Sequence, residues 1–262
     1  MKRRTSPNRR PWHPPPKEAP REDGLPAGTP RWAARMRHLT DRMSRDFLGG
    51  PRVVRLAWVI NAQKGGTFPF LLLLLWVYGR HDAAAWTYVA LHGSYGLVWL
   101  LKDVAFPDRS WQQRVTIGGA VNAFLLVLGL YWVMGWLMLS RPVPAYPLRE
   151  PAWLALSTSL CLVGCALMIA ADAQKYFTLR LRPGLITDGV HRYVRHPNYL
   201  GEMLVYGSLG LLVWHWAAAL ILAWVWLGLF AVNMRIKEAS MARHPEWELY
   251  RKRSWWLLPF IF

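Results

Sequence analysis

The chain has 262 residues, 53% of them apolar, and a formal charge of +17 from 32 Lys and Arg against 15 Asp and Glu. These totals admit one large soluble domain, but their distribution excludes it. From Val53 to Met234 apolar stretches follow one another near the roughly 20-residue length of a bilayer's hydrocarbon core, and the first 50 residues hold almost no core-forming run.

Residues 1–56 hold 14 basic and 5 acidic residues, so more than half of the charge excess belongs to an amino-terminal tail and does not point to a nucleic-acid partner. Residues 1–50 combine Pro-rich runs with scattered Arg, a composition too poor in apolar surface to offset its ordering entropy, and they are expected to be a disordered cytoplasmic tail. Within it, Trp32 to Phe47 fits either a short basic amphipathic helix on an anionic membrane surface or a solvated linker. No secretory signal is expected, because the first apolar run begins after residue 52.

The predicted spans are 56–78, 83–101, 115–139, 152–171, 199–214 and 216–233, the last two joined by a Trp214-His215-Trp216 turn. The expected fold class is therefore all-α, a polytopic membrane domain of about six helices over 51–262. Alternating sides from a cytoplasmic tail puts 28 basic residues inside and three outside, which follows the positive-inside rule with both termini in the cytoplasm of a bacterial inner membrane. Lys64 falls within the first span. It marks a cavity or a partner by default, unless Asn61 to Gly66 is a break and the membrane segment starts near Thr67. Cys161 and Cys165 lie four apart in an apolar segment and read as small packing side chains. They indicate no disulfide framework or metal site.

Two polar stretches, Asp172–Tyr199 and Asn233–Phe262, fall on the same inner side and flank the last helical pair. In the first, Lys175, Arg180, Arg182, Arg192 and Arg195 supply five cations beside turns at Pro183-Gly184 and Asp188-Gly189. Guanidinium groups bind phosphates bidentately, so the cluster suits a phosphorylated cofactor, although lipid headgroups would satisfy the same charges. RHPNYLGE, residues 195–202, then places Asn198 and Glu202 on one face at the mouth of a span otherwise free of acids. As a purely structural element it reads as Pro197 starting a helix, Asn198 capping it and Glu202 near its positive end. That leaves the Arg195-His196 pair and Tyr199 without a role.

These segments resemble the C-terminal half of the membrane steroid 5-alpha-reductases, the sterol reductases and their bacterial relatives. The counterparts are Asp172, Arg182-Pro183-Gly184, Gly189 to Val194 and Asn198-Tyr199-Leu200-Gly201-Glu202, and the similarity continues through His244 to Tyr250 and Leu258-Pro259-Phe260-Ile261-Phe262. The resemblance implies reduction by NADPH of a carbon–carbon double bond in a lipophilic substrate. It carries the cofactor role to Asp172, Asn198, Tyr199, Glu202 and Tyr250, with Arg180, Arg182 and Arg195 toward the phosphates, and Lys175 of the basic cluster and His196 of the Arg195-His196 pair join them as cofactor-binding candidates. Isoprenylcysteine and phospholipid methyltransferases are similar in part, through the Arg195-His196-Pro197 turn and the basic-aromatic tail, and would imply S-adenosylmethionine instead. Glu202 directly after Gly201 favours the reductases, as does Lys237-Glu238 where the methyltransferases carry paired glutamates.

The amino-terminal half departs from the reductase pattern. Gln63-Lys64 stands where the resemblance leads to Gln-Glu, which argues against a 3-oxo-steroid substrate. His92, Tyr95, Trp99, Lys102 and Asp103 recur at helical spacing, and Tyr95 is the candidate proton donor, with packing or an interfacial position as its alternative. A membrane scaffold that only touches lipid headgroups is the non-catalytic alternative. The expected partners are a lipophilic small molecule and membrane lipids, and the sequence assigns no oligomeric state.

Overall fold

The computed structural model describes residues 24–259. Residues 1–23 and the terminal Phe260-Ile261-Phe262, both part of the expectations above, lie outside the described residues.

Within the expected tail, the described chain takes the helical one of the two readings given for Trp32 to Phe47. Arg31–Arg45 forms a helix, α1, packed against the body of the protein with Ala33 and Ala34 buried. Pro30 precedes its first turn, and Asp41 pairs with both Arg37 and Arg45 one turn away on either side, at 2.8 and 3.1 Å. Within residues 1–50 the prolines stop at residue 30, which leaves this stretch free to be helical.

A two-residue strand, β1 (Val54–Arg55), leads into α2 (Leu56–Tyr78). The helix runs unbroken through Asn61–Gly66, so Lys64 is a mid-helix residue and the expected alternative of a break there is not seen. It ends on Gly79, whose φ of 61° is the left-handed conformation that lets its N–H reach back to the Leu75 and Trp76 carbonyls. α3 (Ala83–Ala105) starts from an Asp82 cap on the Ala85 N–H at 2.9 Å and packs antiparallel on α2. The two helices touch closely at Gly96, where a Cβ would run into the Lys64 carbonyl. β2 (Arg114–Val115) pairs antiparallel with β1 and ties the α3 exit to the α2 entrance.

α4 (Ile117–Ala123) and α5 (Gly129–Leu139) are joined by a π-helical stretch, Phe124–Leu128, into one 23-residue helix. α6 (Glu150–Leu181) is a single helix of 32 residues that overruns the expected span at 171 by ten residues. The apolar run ends there but nothing stops the helix until Pro183. α7 (Pro197–Val213) begins with Pro at its first position, as expected, and ends at Trp214, held at φ 42°. α8 (Trp216–Ala223), a π-helical stretch Trp224–Phe230 and α9 (Ala231–Met241) form a second continuous helix, and α10 (Trp247–Arg253) closes the described chain.

Among the described residues three helices are long and apolar enough to cross a membrane, Ile117–Leu139, Glu150–Leu181 and Trp216–Met241. The core sits where α6 and α7 cross. A Cβ on Gly164 would lie 2.7 Å from the Gly201 carbonyl oxygen, and one on Gly201 would lie 2.6 Å from the Met168 nitrogen. Only backbone against backbone fits there, and this contact fixes Asp172 and Lys175 on α6 relative to Glu202 on α7. The tail returns to the same point: Trp255 forms an isolated parallel bridge with Val194, its carbonyl accepting from the Arg195 N–H at 2.9 Å.

Candidate functional site

The site begins at the ends of α3, α6, α7 and α9, which share one end of the bundle. Lys102 pairs with Asp172 at 2.8 Å with side chains only 6% and 14% exposed, and its ammonium lies 4.4 Å from the Trp99 ring centre. Lys175, one turn of α6 farther on, reaches Asp108 at 3.8 Å. Lys237 of α9 sits 4.4 Å over the Tyr199 ring. Glu202, one turn into α7, feels the charges of Lys64, Lys102, Lys237 and Asp172. The four helices thus bring Lys102, Lys175 and Lys237 around Asp108, Asp172 and Glu202, and Lys64 of a fifth, α2, adds its charge from deeper in the bundle.

Two histidines border this cluster. His196 is buried between Tyr199 and Trp256, at ring distances of 6.0 and 6.2 Å, and its Nε2 has no hydrogen-bond partner. Burial, then the charges of Lys237 and Arg195, hold it well below the ordinary imidazole range. His191, whose buried Nδ1 also lacks a partner, is held down to about 4 by burial and then by Lys175. Both rings are therefore neutral near pH 7, and each keeps one buried nitrogen without a hydrogen-bond partner.

Deeper in the bundle Lys64 occupies an aromatic box. Its ammonium donates to the Tyr206 hydroxyl and lies 4.5 Å from the Tyr95 ring, 4.9 Å from both Trp99 and Tyr206, and 5.5 Å from Tyr131. Tyr131 and Tyr206 stack at 3.7 Å, and Tyr95 meets Tyr206 edge-on at 5.3 Å. A cation this far from water needs such faces, since each ring carries negative potential over its plane. The Tyr95 hydroxyl also points at the Met168 sulfur, 3.7 Å away.

The sequence-predicted residues divide into three groups. Asp172, Lys175, His196, Tyr199 and Glu202 come together at the cluster, with Asn198 half-buried on the same turn as Tyr199, and Tyr95 lies in the deeper box. Arg195 and Tyr250 hold the tail. Arg195 pairs with Glu238 at 2.7 Å and donates to the Ser254 carbonyl, and the Tyr250 hydroxyl donates to the His191 carbonyl at 2.6 Å. Arg180 and Arg182 are exposed and stay outside the cluster, Arg180 on the Tyr176 hydroxyl and Arg182 on Asp188.

Sequence reasoning missed Asp108 and Tyr206, and it named Lys102 only for its helical spacing with Tyr95 and Lys237 only beside Glu238, without a place in the site. Beside Trp256 a cleft of about 350 Å³ opens among Arg195, Arg235, Arg251, Ser254 and Trp255. Arg235 lies flat on the Trp256 ring at 4.5 Å and shares Glu238 with Arg195. Among the described residues no group of three or more His, Cys, Asp or Glu could hold a metal ion.

Comparison with known proteins gives two findings. The model of a family described as "Protein of unknown function (DUF1295)" matches residues 45–254. Over 78 residues, 30% of this chain, the sequence is 30% identical to an uncharacterized protein of Schizosaccharomyces pombe, and the match covers 27% of that protein's length.

Proposed function

The chain belongs to the DUF1295 family, and from that membership and the lysine-lined site we propose that it is a membrane reductase of the steroid 5-alpha-reductase-like kind. In this reading it uses NADPH to reduce a carbon–carbon double bond in a lipophilic substrate. Six spans with both termini in the cytoplasm of an inner membrane complete the proposal, α2, α3 and α7 joining the three helices already long and apolar enough to cross.

One observation carries the choice of cofactor: Lys64, Lys102, Lys175 and Lys237 outnumber the three carboxylates they surround. A positive, partly buried site favours phosphate oxyanions and opposes the sulfonium of S-adenosylmethionine. The face of Tyr199 that would suit a sulfonium already carries the Lys237 ammonium. The residues present fit a dinucleotide. Lys175, Lys237 and Arg235 would hold its phosphates, His191 and His196 bring unpartnered nitrogens, and Asn198 and Glu202 offer amide and carboxylate groups for a nicotinamide carboxamide.

The dinucleotide would supply a hydride, and the chain supplies the rest. Hydride addition to a conjugated alkene leaves negative charge on the carbonyl oxygen and requires one proton. Tyr95 in the Lys64 box is the donor in this reading. The Lys64 ammonium, held by the Tyr206 hydroxyl, supplies the positive field that stabilises the developing oxyanion and the tyrosinate left on Tyr95, which takes up a proton from the medium once product leaves. The apolar rings around them exclude water, which keeps that field strong.

The test is a binding titration of the purified protein in lipid nanodiscs with NADPH and, separately, with S-adenosylmethionine. Saturable NADPH binding that weakens in Lys237→Gln supports the proposal. Saturable binding of S-adenosylmethionine alone overturns it in favour of methyl transfer, and binding of neither leaves a scaffold.

A further inference from the structure

α1 has two faces with different tasks. Its inward face is consumed by the protein: Ala33 and Ala34 are buried, Arg37 reaches Asn233 of α9 at 2.9 Å, and the Met43 carbonyl accepts from Asn122 of α4 at 2.9 Å. The Thr116 N–H donates to the Arg45 carbonyl at 2.8 Å, and a Cβ on Gly119 would lie 2.8 Å from the Arg45 carbonyl carbon. The helix is therefore fixed in rotation.

What faces outward is Arg31, Trp32, Arg35, His38, Leu39 and Arg42, all exposed and spaced three, four and seven apart. The one acidic residue of α1, Asp41, turns to Arg37 and Arg45, so the outward face carries three arginines and no carboxylate. Trp32 and Leu39 are 52% and 51% exposed, and Leu48, just past the helix, is 84% exposed. α1 rests on the first turns of a helix whose outer side, Ile117, Val121 and Leu125, is exposed and apolar. The basic-aromatic face thus continues directly into a surface suited to acyl chains.

We propose that the outward face of α1 is a docking surface for anionic lipid headgroups, with Arg31, Arg35 and Arg42 on the phosphates and Trp32, Leu39 and Leu48 in the interfacial layer. A basic stripe studded with apolar side chains beside a membrane-spanning helix matches a charged bilayer surface better than a soluble acidic partner, which would leave Leu48 and Ile117 in water. The surface is independent of the reductase reading. Three arginines at about fivefold each give on the order of 100-fold in favour of the docked helix on an anionic surface.

Hydrogen exchange of residues 31–45 tests this, with the full chain in nanodiscs of phosphatidylcholine alone or mixed with phosphatidylglycerol. Exchange should slow markedly in the anionic discs, return toward the neutral-disc rate at high salt, and lose its lipid dependence in the triple variant Arg31→Gln, Arg35→Gln, Arg42→Gln. The triple variant spares Arg37 and Arg45, so its exchange in neutral discs should equal that of the unaltered protein. Equal exchange in both lipids overturns the proposal, as does slowing that persists in the triple variant. Slowing produced in neutral discs by inorganic phosphate would assign a free-anion site instead, and slowing produced there by tRNA a nucleic-acid surface. Either result also overturns it.

Discussion

Gly201 puts the packing argument at its sharpest, because the same residue belongs to the Asn198–Glu202 motif and to the crossing of α6 and α7. A methyl group there would stand 2.6 Å from the Met168 nitrogen and 2.7 Å from the Gly164 carbonyl oxygen, backbone atoms with no rotamer to turn away. Reaching an ordinary contact of 3.4 Å from 2.6 Å requires the helices to part by about 0.8 Å. Overpacking of this kind costs about 1–3 kcal/mol, against which alanine recovers up to about 1 kcal/mol of helix propensity. Gly207 on the same helix is the control. Its Cβ would meet only the Trp226 ring at 3.5 Å, so Gly207→Ala should be neutral or slightly stabilising. The assay is the denaturation midpoint in detergent followed by tryptophan emission, with NADPH affinity measured alongside. Gly201→Ala should unfold earlier than Gly207→Ala and bind more weakly, since Asp172 and Glu202 would move apart. The pair Gly164→Ala, Gly201→Ala should cost much less than the two singles summed, because the first methyl already opens the gap the second needs. A Gly201→Ala protein as stable as Gly207→Ala, or additive costs in the pair, would refute the close crossing.

Asp172→Asn should destabilise by about 3–5 kcal/mol by leaving the Lys102 ammonium buried without its carboxylate, whereas the double change Lys102→Met, Asp172→Leu should recover most of that loss, both read by unfolding in detergent. Tyr206→Phe removes the acceptor of the Lys64 ammonium and should cost about 1–3 kcal/mol, while Lys64→Met fills the same box without a charge and should unfold no earlier than the unaltered protein. On acidification His191 should weaken the fold. Its pKa falls from 6.5 when unfolded to about 4 when folded, so between those values the unfolded chain binds the extra proton and stability declines as pH drops. Midpoints measured from pH 7 to 4 should fall less steeply in His191→Gln, and parallel curves would contradict the assignment.

The three long apolar helices were legible because burial in lipid demands long apolar runs, and helix starts at Ile117, Glu150, Pro197 and Trp216 fall within two residues of the sequence reading. The Arg195–Glu202 motif was legible because charges at a span mouth are conspicuous. What could not be read are pairings between distant segments. Lys102 gains its meaning from Asp172, seventy positions later, and Lys64 from a tyrosine in α7 and rings in α3 and α5. Arg195 looked like a phosphate ligand because its partners, Glu238 and the Ser254 carbonyl, lie in the tail, and no local pattern announces that return. α1 was legible as one of two readings of Trp32 to Phe47, and what the sequence could not show is its packing on Asn233 of α9 and Asn122 of α4.

The widened turns at Phe124–Leu128 and Trp224–Phe230 touch each other, the Trp224 indole donating to the Leu126 carbonyl at 3.2 Å. Such a turn holds about one residue more than an ordinary helical turn, and each residue advances the helix by about 100° of rotation. Deleting one residue from the second stretch would therefore keep an uninterrupted hydrophobic rod while swinging Lys237, Arg235 and Glu238 away from Tyr199 and Arg195. Chain length at this point acts as a dial on which the far end of the rod is set, so single-residue insertions or deletions here should disable the molecule without unfolding it.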